Sequence, residues 1–389
     1  MGVEFLVNKR GSNAVGVRRY NERLILATVR RLNGASKADL SRITGLSPQA
    51  AVRIVESLAE EGRLIKAGKR TGGMGQPSII YRINGDSGCT IGAEIGRDRL
   101  VCTILDFDGR IIACESTATS YPSPASAVEH IRSFARHHMP RLRQEQREGF
   151  LGFGIAMPWF IGEWREEAGI ATQQAAAWTA PGLEELFQNE LDGPVLFEND
   201  GNAGALAELM SGAGAGLNNF LYVHIGTFIG GGLILNGEIK RGRNGNAGAL
   251  ASMPVPNGPD VDFLLHSASL YQLSSKETTS DAQWEAWLSH CADALAFTII
   301  SANSLLDLDA VVIGGTLSQE RLCLLRRLIL ENMQRSAPRD FFCPELRIGK
   351  NGDQAPAIGA ALLPLFSTFA PNLISLLKVD KDTADIERK

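Results

Sequence analysis

No pair among the six cysteines (Cys89, Cys102, Cys114, Cys291, Cys323 and Cys343) has CxC or CxxC spacing, and the six histidines form no HxxxH or HExxH pattern. These absences remove the usual sequence frameworks for a zinc cage, a disulfide-stapled fold or a metalloprotease-type centre. Most of the cysteines fall inside apolar runs, which fits buried free thiols in a reducing compartment. No uninterrupted apolar stretch approaches the roughly 18 residues that a membrane span needs. The opening MGVEFLV, followed by NKRGSNAVGVRRY, is too short for the apolar core of a signal peptide. The expectation is a cytoplasmic protein with no metal, no cofactor and no membrane partner.

What is present is a chain of 389 residues with 44% hydrophobic and 21% charged residues, enough for two or three globular domains with sizeable cores. Charge is unevenly placed. Residues 1–84 hold fifteen Lys and Arg against six Asp and Glu, a net +9, whereas the remainder carries −13 within a chain total of −4. Blocks of opposite sign predict a polyanion-binding module joined to a body that does not bind nucleic acid.

Residues 1–19 show little periodicity and several basic residues, and read as a flexible basic arm. From Tyr20 a helical pattern places Leu24, Ile25, Ala27, Thr28 and Leu32 along one face, ending at Asn33-Gly34. Ser36 and Asp39 resemble a capping box, Thr44-Gly45 a turn, and Ser47-Pro48 an N-cap with proline at the first helical position. The next helix would bury Ala51, Val52, Val55 and Leu58. Two helices joined by a short glycine-containing turn have the spacing of a helix-turn-helix. RLIKAGKRTGGMGQPSIIYRIN then reads as two strands around a basic, glycine-rich wing. In that arrangement Ser47, Gln49, Ala50 and Arg53 open the helix that faces base edges, with Lys37, Arg42 and Arg31 placed for phosphates and Lys69, Arg70 and Gln76 on the wing. A helical packing or dimerisation module is the bland alternative. The DNA-binding domain is expected over residues 20–84.

Beyond a junction at residues 85–88, three short apolar runs at hairpin spacing precede a long helical segment (SPASAVEHIRSFARHHMPRLRQEQRE) and a buried strand, FLGFGIAMP. PVLFEN and GNAGALAELM follow as strand and helix. A second set of similar order begins at FLYVHIG and GGLILNG, continues through helical segments at about 259–275 and 280–303, and ends in the helix that opens APAIGAA. Two β-then-helical halves predict duplicated lobes, 85–199 together with a C-terminal helix 355–378, and 200–354, closing on a ligand. Between them lies FENDGNAGAL, then FLYVHIGTFIGGG. A carboxylate at a strand-to-helix junction, followed by glycines that permit close backbone approach, builds a cleft for a polyhydroxylated or phosphorylated molecule; simple capping and turn roles are the alternative. His224, inside an apolar strand, reads as a core residue, and His137-His138 as a solvated helix face.

With these pieces placed, the chain resembles the ROK family of repressors, open reading frames and sugar kinases. The resemblance is carried by Glu198-Asn199-Asp200-Gly201-Asn202-Ala203, Gly226-Thr227-Phe228-Ile229-Gly230-Gly231-Gly232, Val312-Ile313-Gly314-Gly315 and Ile358-Gly359-Ala360-Ala361, in that order. It implies an α/β chain with an N-terminal winged helix-turn-helix followed by a two-lobed, actin-like (ribonuclease-H-like) body. It also implies a sugar-like effector at Asn199, Asp200, Gly226, Thr227 and Ser252, and a homodimer or higher homo-oligomer; Trp159, where the family usually has Pro-Gly, is expected to stack on a sugar face or plug the pocket, with core packing as the alternative. Three departures matter. The phosphate loop DIGGT is here Glu94-Ile95-Gly96-Arg97-Asp98, and Phe228 replaces a glycine of GTGIG, so both changes crowd the nucleotide side, although the kinase's general base would map onto Asp200. Ala249 and Ser252 stand where the family has a sugar-binding glutamate and a zinc-ligating histidine, and the CxCGxxGC zinc motif is missing. The expectation is a DNA-binding transcriptional regulator, a repressor, with no catalytic residue. An active sugar kinase with an appended DNA-binding domain, and a regulator controlled by a protein partner, are the alternatives.

Overall fold

A computed structural model describes residues 14–70, 77–119, 121–159, 172–273 and 279–370. Its contacts divide the chain into two units, one of residues 1–87 with 365–389 and one of residues 88–364.

In the first unit, helices α1 (Ala14–Arg31), α2 (Lys37–Thr44) and α3 (Pro48–Glu60) accompany a three-stranded sheet of order β1-β3-β2, formed by Ala35–Ser36 (β1), Leu64–Arg70 (β2) and Ser78–Ile83 (β3). Local chemistry sets each boundary. Ser36 and Asp39 form a reciprocal capping box on α2, Gly45 ends that helix at φ +71°, and Ser47 caps α3 with Pro48 in its first turn. Ile25, Leu26, Val29, Leu40, Ala51, Ile54, Val55 and Leu58 are buried between the helices. Three expectations need correction. Helix α1 begins at Ala14, inside the segment read as a flexible arm, while residues 1–13 lie outside the described residues. Leu32 is 41% exposed because Asn33 (φ +50°) and Gly34 turn the chain away directly after it. On α3, Ile54 is buried and Val52 only half-buried.

The second unit holds two five-stranded sheets of identical order. In the first, Cys89–Ile95 (β4), Arg99–Asp106 (β5), Ile111–Ala118 (β6), Phe150–Met157 (β7) and Val195–Asn199 (β8) are arranged β6-β5-β4-β7-β8. In the second, Phe220–Ile225 (β9), Ile229–Leu235 (β10), Glu238–Ile239 (β11), Ala310–Gly315 (β14) and Glu345–Ile348 (β15) are arranged β11-β10-β9-β14-β15. In each sheet the first three strands pair antiparallel as a meander and the last two run parallel to the first. This repeated mixed order is the two-lobed, actin-like architecture expected from the sequence. Each sheet has its own apolar cluster, built around Ile91, Ile104, Ile131, Phe153 and Phe187 in one lobe and Val223, Leu295, Ile299, Val311 and Leu325 in the other. The helix Ala355–Phe369 lies so close to the first sheet that a Cβ on Gly154 would strike the backbone carbonyl of Ala360.

The segment read as helical at about 259–275 is instead a hairpin, Pro254–Asn257 (β12) with Asp260–Phe263 (β13), followed by the short helix Leu264–Ala268 and a 3-10 turn. Gly258-Pro259, with Gly258 at φ +60°, forms the two-residue turn that overrides the apolar periodicity. The long segment 123–148 also breaks: its helix ends at His138, where Pro140 cannot donate to a continuing ladder, and resumes only at Gln144–Glu148. Cys89, Cys102 and Cys291 are buried, Cys114 is half-buried, and Cys323 and Cys343 are exposed. Among the described residues no helix is long and apolar enough to cross a membrane.

Candidate functional site

Strand β8 delivers Glu198-Asn199-Asp200 to the start of helix Asp200–Ser211. Asn199 is the N-cap: its Oδ1 accepts from the backbone N–H of Gly201 (3.0 Å) and of Asn202 (3.3 Å). Asp200 Oδ1 also accepts from Gly201 N–H at 2.8 Å, and a carboxylate in the first turn is favoured by the helix dipole. Burial raises the Asp200 carboxyl above its ordinary value, opposed by the Gly201 N–H and the Asn199 side chain. Fully buried Glu198 holds this turn rigid. One oxygen accepts from Asn199 N–H and Asn202 Nδ2, both at 3.0 Å, and the other from Arg241 Nε at 2.6 Å. The sequence named Asn199 and Asp200 as ligand contacts; the capping role occupies Asn199 Oδ1, and both residues line the cleft.

All six residues expected to touch an effector line one cleft of about 1030 Å³: Trp159, Asn199, Asp200, Gly226, Thr227 and Ser252. Gly226-Thr227 form the turn between β9 and β10, and Ser252 ends the 3-10 turn Leu250–Ser252. Trp159 follows β7, and its ring lies directly on Gly245 (φ +71°), where a side chain would collide with it. Trp159 is half-buried against the apolar cluster of the first sheet, so it serves packing and cleft lining at once.

In the loops after β4 and β9, Arg97 and Phe228 do not obstruct separately. The Arg97 guanidinium carbon lies 5.8 Å from the centroid of the Phe228 ring, which in turn lies 5.3 Å from that of Tyr271. Arg99 was not singled out from the sequence, yet it dominates the floor. Its guanidinium donates to Asp353 Oδ2 (2.8 Å) and the Asp353 carbonyl (2.7 Å), and pairs with Glu94 at 3.3 Å. Burial pushes the Glu94 carboxyl up to about 7 against the pull of Arg99, with Asp200 adding to the rise. His224, read as a core residue, lines the cleft. Burial and the Arg99 charge push its pKa down to about 4, and Tyr222 Oη lies 3.0 Å from its Nδ1. A neutral ring accepting that hydroxyl carries its proton on Nε2.

Tyr121 was also missed. It lines the cleft at φ +22°, a strained conformation for a side-chain-bearing residue. Its N–H donates to the Arg97 carbonyl at 2.7 Å, Thr119 N–H donates to the Asp98 carbonyl at 3.0 Å, and its ring packs on Trp178. No local signal marks Tyr121 or Asp353; both are recruited by contacts distant in sequence. Outside the cleft, His138 is not simply solvated. It is half-buried, stacks on Phe134 and pairs through Nε2 with Glu115 Oε1 at 2.7 Å, beside exposed His137. Among the described residues, Glu115, His137 and His138 are the group whose ligand atoms come together, within 4.8 Å.

In the N-terminal unit, the start of α3 presents exposed Ser47, Gln49 and Arg53 and half-buried Ala50, with Ser47 Oγ capping Ala50 N–H at 3.3 Å. Asp39 draws an expected phosphate contact and a wing residue together, pairing with Arg42 (3.3 Å) and with Arg70 of β2 (3.0 Å). The Ser36 hydroxyl is the main cause that holds the Asp39 carboxyl below its ordinary value. Lys37 is tied to Glu56 at 2.6 Å, so it is not an unengaged cation. Lys69 and Arg31 are exposed, and Gln76 lies outside the described residues.

Comparison with known proteins matches this architecture. The ROK family model covers residues 90–260 and 264–365. The chain is 25% identical over 365 residues to the xylose repressor of Bacillus spizizenii, covering 88% of this chain and 94% of that protein. It is 24% identical over 312 residues to the glucokinase of Halalkalibacterium halodurans, covering 70% of this chain and 94% of that enzyme. Among solved structures, a ROK family transcriptional regulator described as a homolog of the E. coli MLC protein superposes with a TM-score of 0.67 at 17% identity, over 94% of this chain and all of that one. With its family-typical Asn199-Asp200 turn and its duplicated sheets, this chain belongs to the ROK family.

Proposed function

We propose that the protein is a DNA-binding transcriptional repressor that responds to a sugar-like effector held at Asn199, Asp200, Thr227, Gly226, Ser252 and Trp159, and that it transfers no phosphoryl group. One observation carries this reading: the loops of the cleft at Gly96-Arg97 and Gly226-Phe228, where a kinase would hold its nucleotide phosphates, are filled by the Arg97–Phe228–Tyr271 stack and the Arg99 ion pairs. A nucleotide needs open backbone N–H groups at that place, and here it would meet side chains and carboxylates. The winged helix and the xylose repressors that match along most of the chain support DNA as the partner. In a homodimer in the cytoplasm, an effector would favour one closure of the lobes and thereby one spacing of the two recognition helices, which must match half-sites a whole number of helical turns apart.

Gel-shift titration on the DNA upstream of its own gene, with and without a sugar panel, tests the reading. Binding no tighter than to random DNA would sink it. The kinase alternative keeps one specific support, the retained Asp200 at the helix start, where a general base could take a hydroxyl proton. A coupled ATPase assay over the same sugars separates the two: turnover abolished by Asp200→Asn would establish the kinase.

A further inference from the structure

Away from the cleft, one cluster of ligand-type side chains has no part in effector or DNA binding. Glu115 lies on β6, and His137 and His138 close the helix Pro124–His138. One ligand atom from each of the three lies within 4.8 Å of the other two. Sequence spacing conceals the group, because Glu115 and His138 are 23 positions apart and two adjacent histidines match no metal-ligand pattern. The cluster stands on ordered parts. Glu115 pairs in register with Cys102 of β5, so the sheet fixes its place. The His138 ring lies 4.5 Å from that of Phe134, which is buried in the core of the first lobe. From there its Nε2 reaches Glu115 Oε1 at 2.7 Å. The His137 ring stands at 85° to that of His138, with centroids 4.8 Å apart. A hydrogen-bonded Glu115–His138 pair accounts for two of these groups and leaves the convergence of the third unexplained. The surroundings suit a cation. The two histidines end a helix, whose last carbonyls carry partial negative charge. The guanidinium of the same turn, Arg136, is drawn to Glu129 at 2.6 Å. Glu115 and His137 are exposed and His138 is half-buried, so an ion can enter from solvent.

We propose that Glu115, His137 and His138 form a binding site for a transition-metal dication of the zinc type. Two imidazole nitrogens and one carboxylate oxygen suit zinc, which takes such donors at about 2.0–2.2 Å and leaves a fourth position to water. The most widely spaced ligand atoms must draw together by roughly 1–2 Å around such an ion, a change that rotation of the two exposed side chains supplies. Magnesium and calcium, which take oxygen ligands, do not fit the set. Bound here, the ion clips β6, the edge strand of the first sheet, to the end of the helix that already meets it through His138–Glu115 and His130–Thr117. A ligand that holds only the folded arrangement stabilises it.

Isothermal titration of zinc chloride into the full chain, freed of metal by dialysis against a chelator and held at about pH 7.5 so that the imidazoles are neutral, tests the site. Zinc is expected to bind and to raise the melting temperature, while magnesium chloride does neither. Glu115→Gln, His137→Ala and His138→Ala are each expected to weaken zinc binding at least about tenfold, since even loss of a group that only supports a ligand costs that much. Glu115 and His137 are exposed, so their variants should fold as the wild type does, and melting in the presence of chelator checks this. If His138→Ala is destabilised through its contact with Phe134, those two carry the test. Cys323 and Cys343 are exposed thiols that can also take zinc, so anomalous scattering at the zinc edge, from crystals of the wild type, locates the ion. A peak among Glu115, His137 and His138 supports the proposal. A peak elsewhere, no binding, or wild-type affinity in Glu115→Gln or His137→Ala overturns it.

Discussion

Arg97 and Phe228, two residues 131 positions apart in the chain, meet with the guanidinium carbon 5.8 Å from the ring centroid, one contributed by the loop after β4 and the other by the turn before β10. Each looks in the sequence like an isolated loss of a glycine. Together they are a contact between the two lobes on the side where a nucleotide would sit. A cation over an aromatic face at a partly exposed site is worth ~0.5–1 kcal/mol. A double-mutant cycle with Arg97→Ala and Phe228→Ala, read by urea denaturation, should give a coupling of about that size. Additive effects would show that the two side chains merely fill space.

The Glu198–Arg241 pair makes a larger prediction. Glu198 has no exposure, and its second oxygen depends on a guanidinium whose side chain is 50% exposed. Arg241→Ala leaves a buried carboxylate with only the Asn199 and Asn202 donors. The expected loss is about 2 kcal/mol, below the 3–5 kcal/mol of fully buried pairs because water reaches the vacated site. Glu198→Gln in the Arg241→Ala background should restore part of it, since the neutral amide needs no counter-charge. An Arg241→Ala protein as stable as the wild type would remove the pair's role in holding the Asn199-Asp200 turn.

What the sequence made legible follows the range of the interactions. Ser36-Asp39 and Ser47-Pro48 are readable because capping is settled within three residues, and their geometry is as expected; at Asn199-Asp200 the cap that the sequence offers as the alternative is present. The β-then-helical order of the two lobes was readable from apolar runs, although the strand order within each sheet was not. Arg99 and Asp353 lie 254 positions apart, and nothing near either one announces the other. Tyr121 depends on carbonyls of the Arg97-Asp98 turn that only the folded sheet brings within reach. The hairpin at Pro254–Phe263, inside and beside the stretch that reads as helical at about 259–275, is decided by strand pairing, which is a tertiary property.

Two groups at the cleft floor predict a compensated pH response. Glu94 titrates near 7 in the folded protein against an ordinary 4.5, so between those values the folded state binds more protons than the unfolded one, and stability falls as pH rises. His224 titrates near 4 against 6.5, so over that window the unfolded state binds more protons, and stability rises with pH. From about pH 4.5 to 6.5 the two slopes oppose each other. Urea unfolding of Glu94→Gln should uncover a stability that increases up to about pH 6.5, and His224→Gln one that decreases up to about pH 7. If both variants keep the wild-type profile, neither group is perturbed as the burial argument requires.

The DNA-facing residues separate into two kinds with different signatures. Arg53 is exposed on the first turns of α3, where a recognition helix reads base edges, and Lys69 is exposed on β2, where a wing reaches the phosphates. Arg53→Ala is therefore expected to weaken operator binding by about 1–3 kcal/mol while binding to random DNA changes little. Lys69→Ala should weaken both equally and reduce the slope of log affinity against log salt by about 1. Lys37, engaged with Glu56, should give the smallest effect of the three, because its charge is already largely neutralised within the domain. Fluorescence anisotropy at several salt concentrations, on operator and scrambled duplexes, measures all three. An Arg53→Ala protein that loses operator and random DNA in equal proportion would place α3 on the backbone rather than in the groove, and the recognition helix would have to be sought elsewhere.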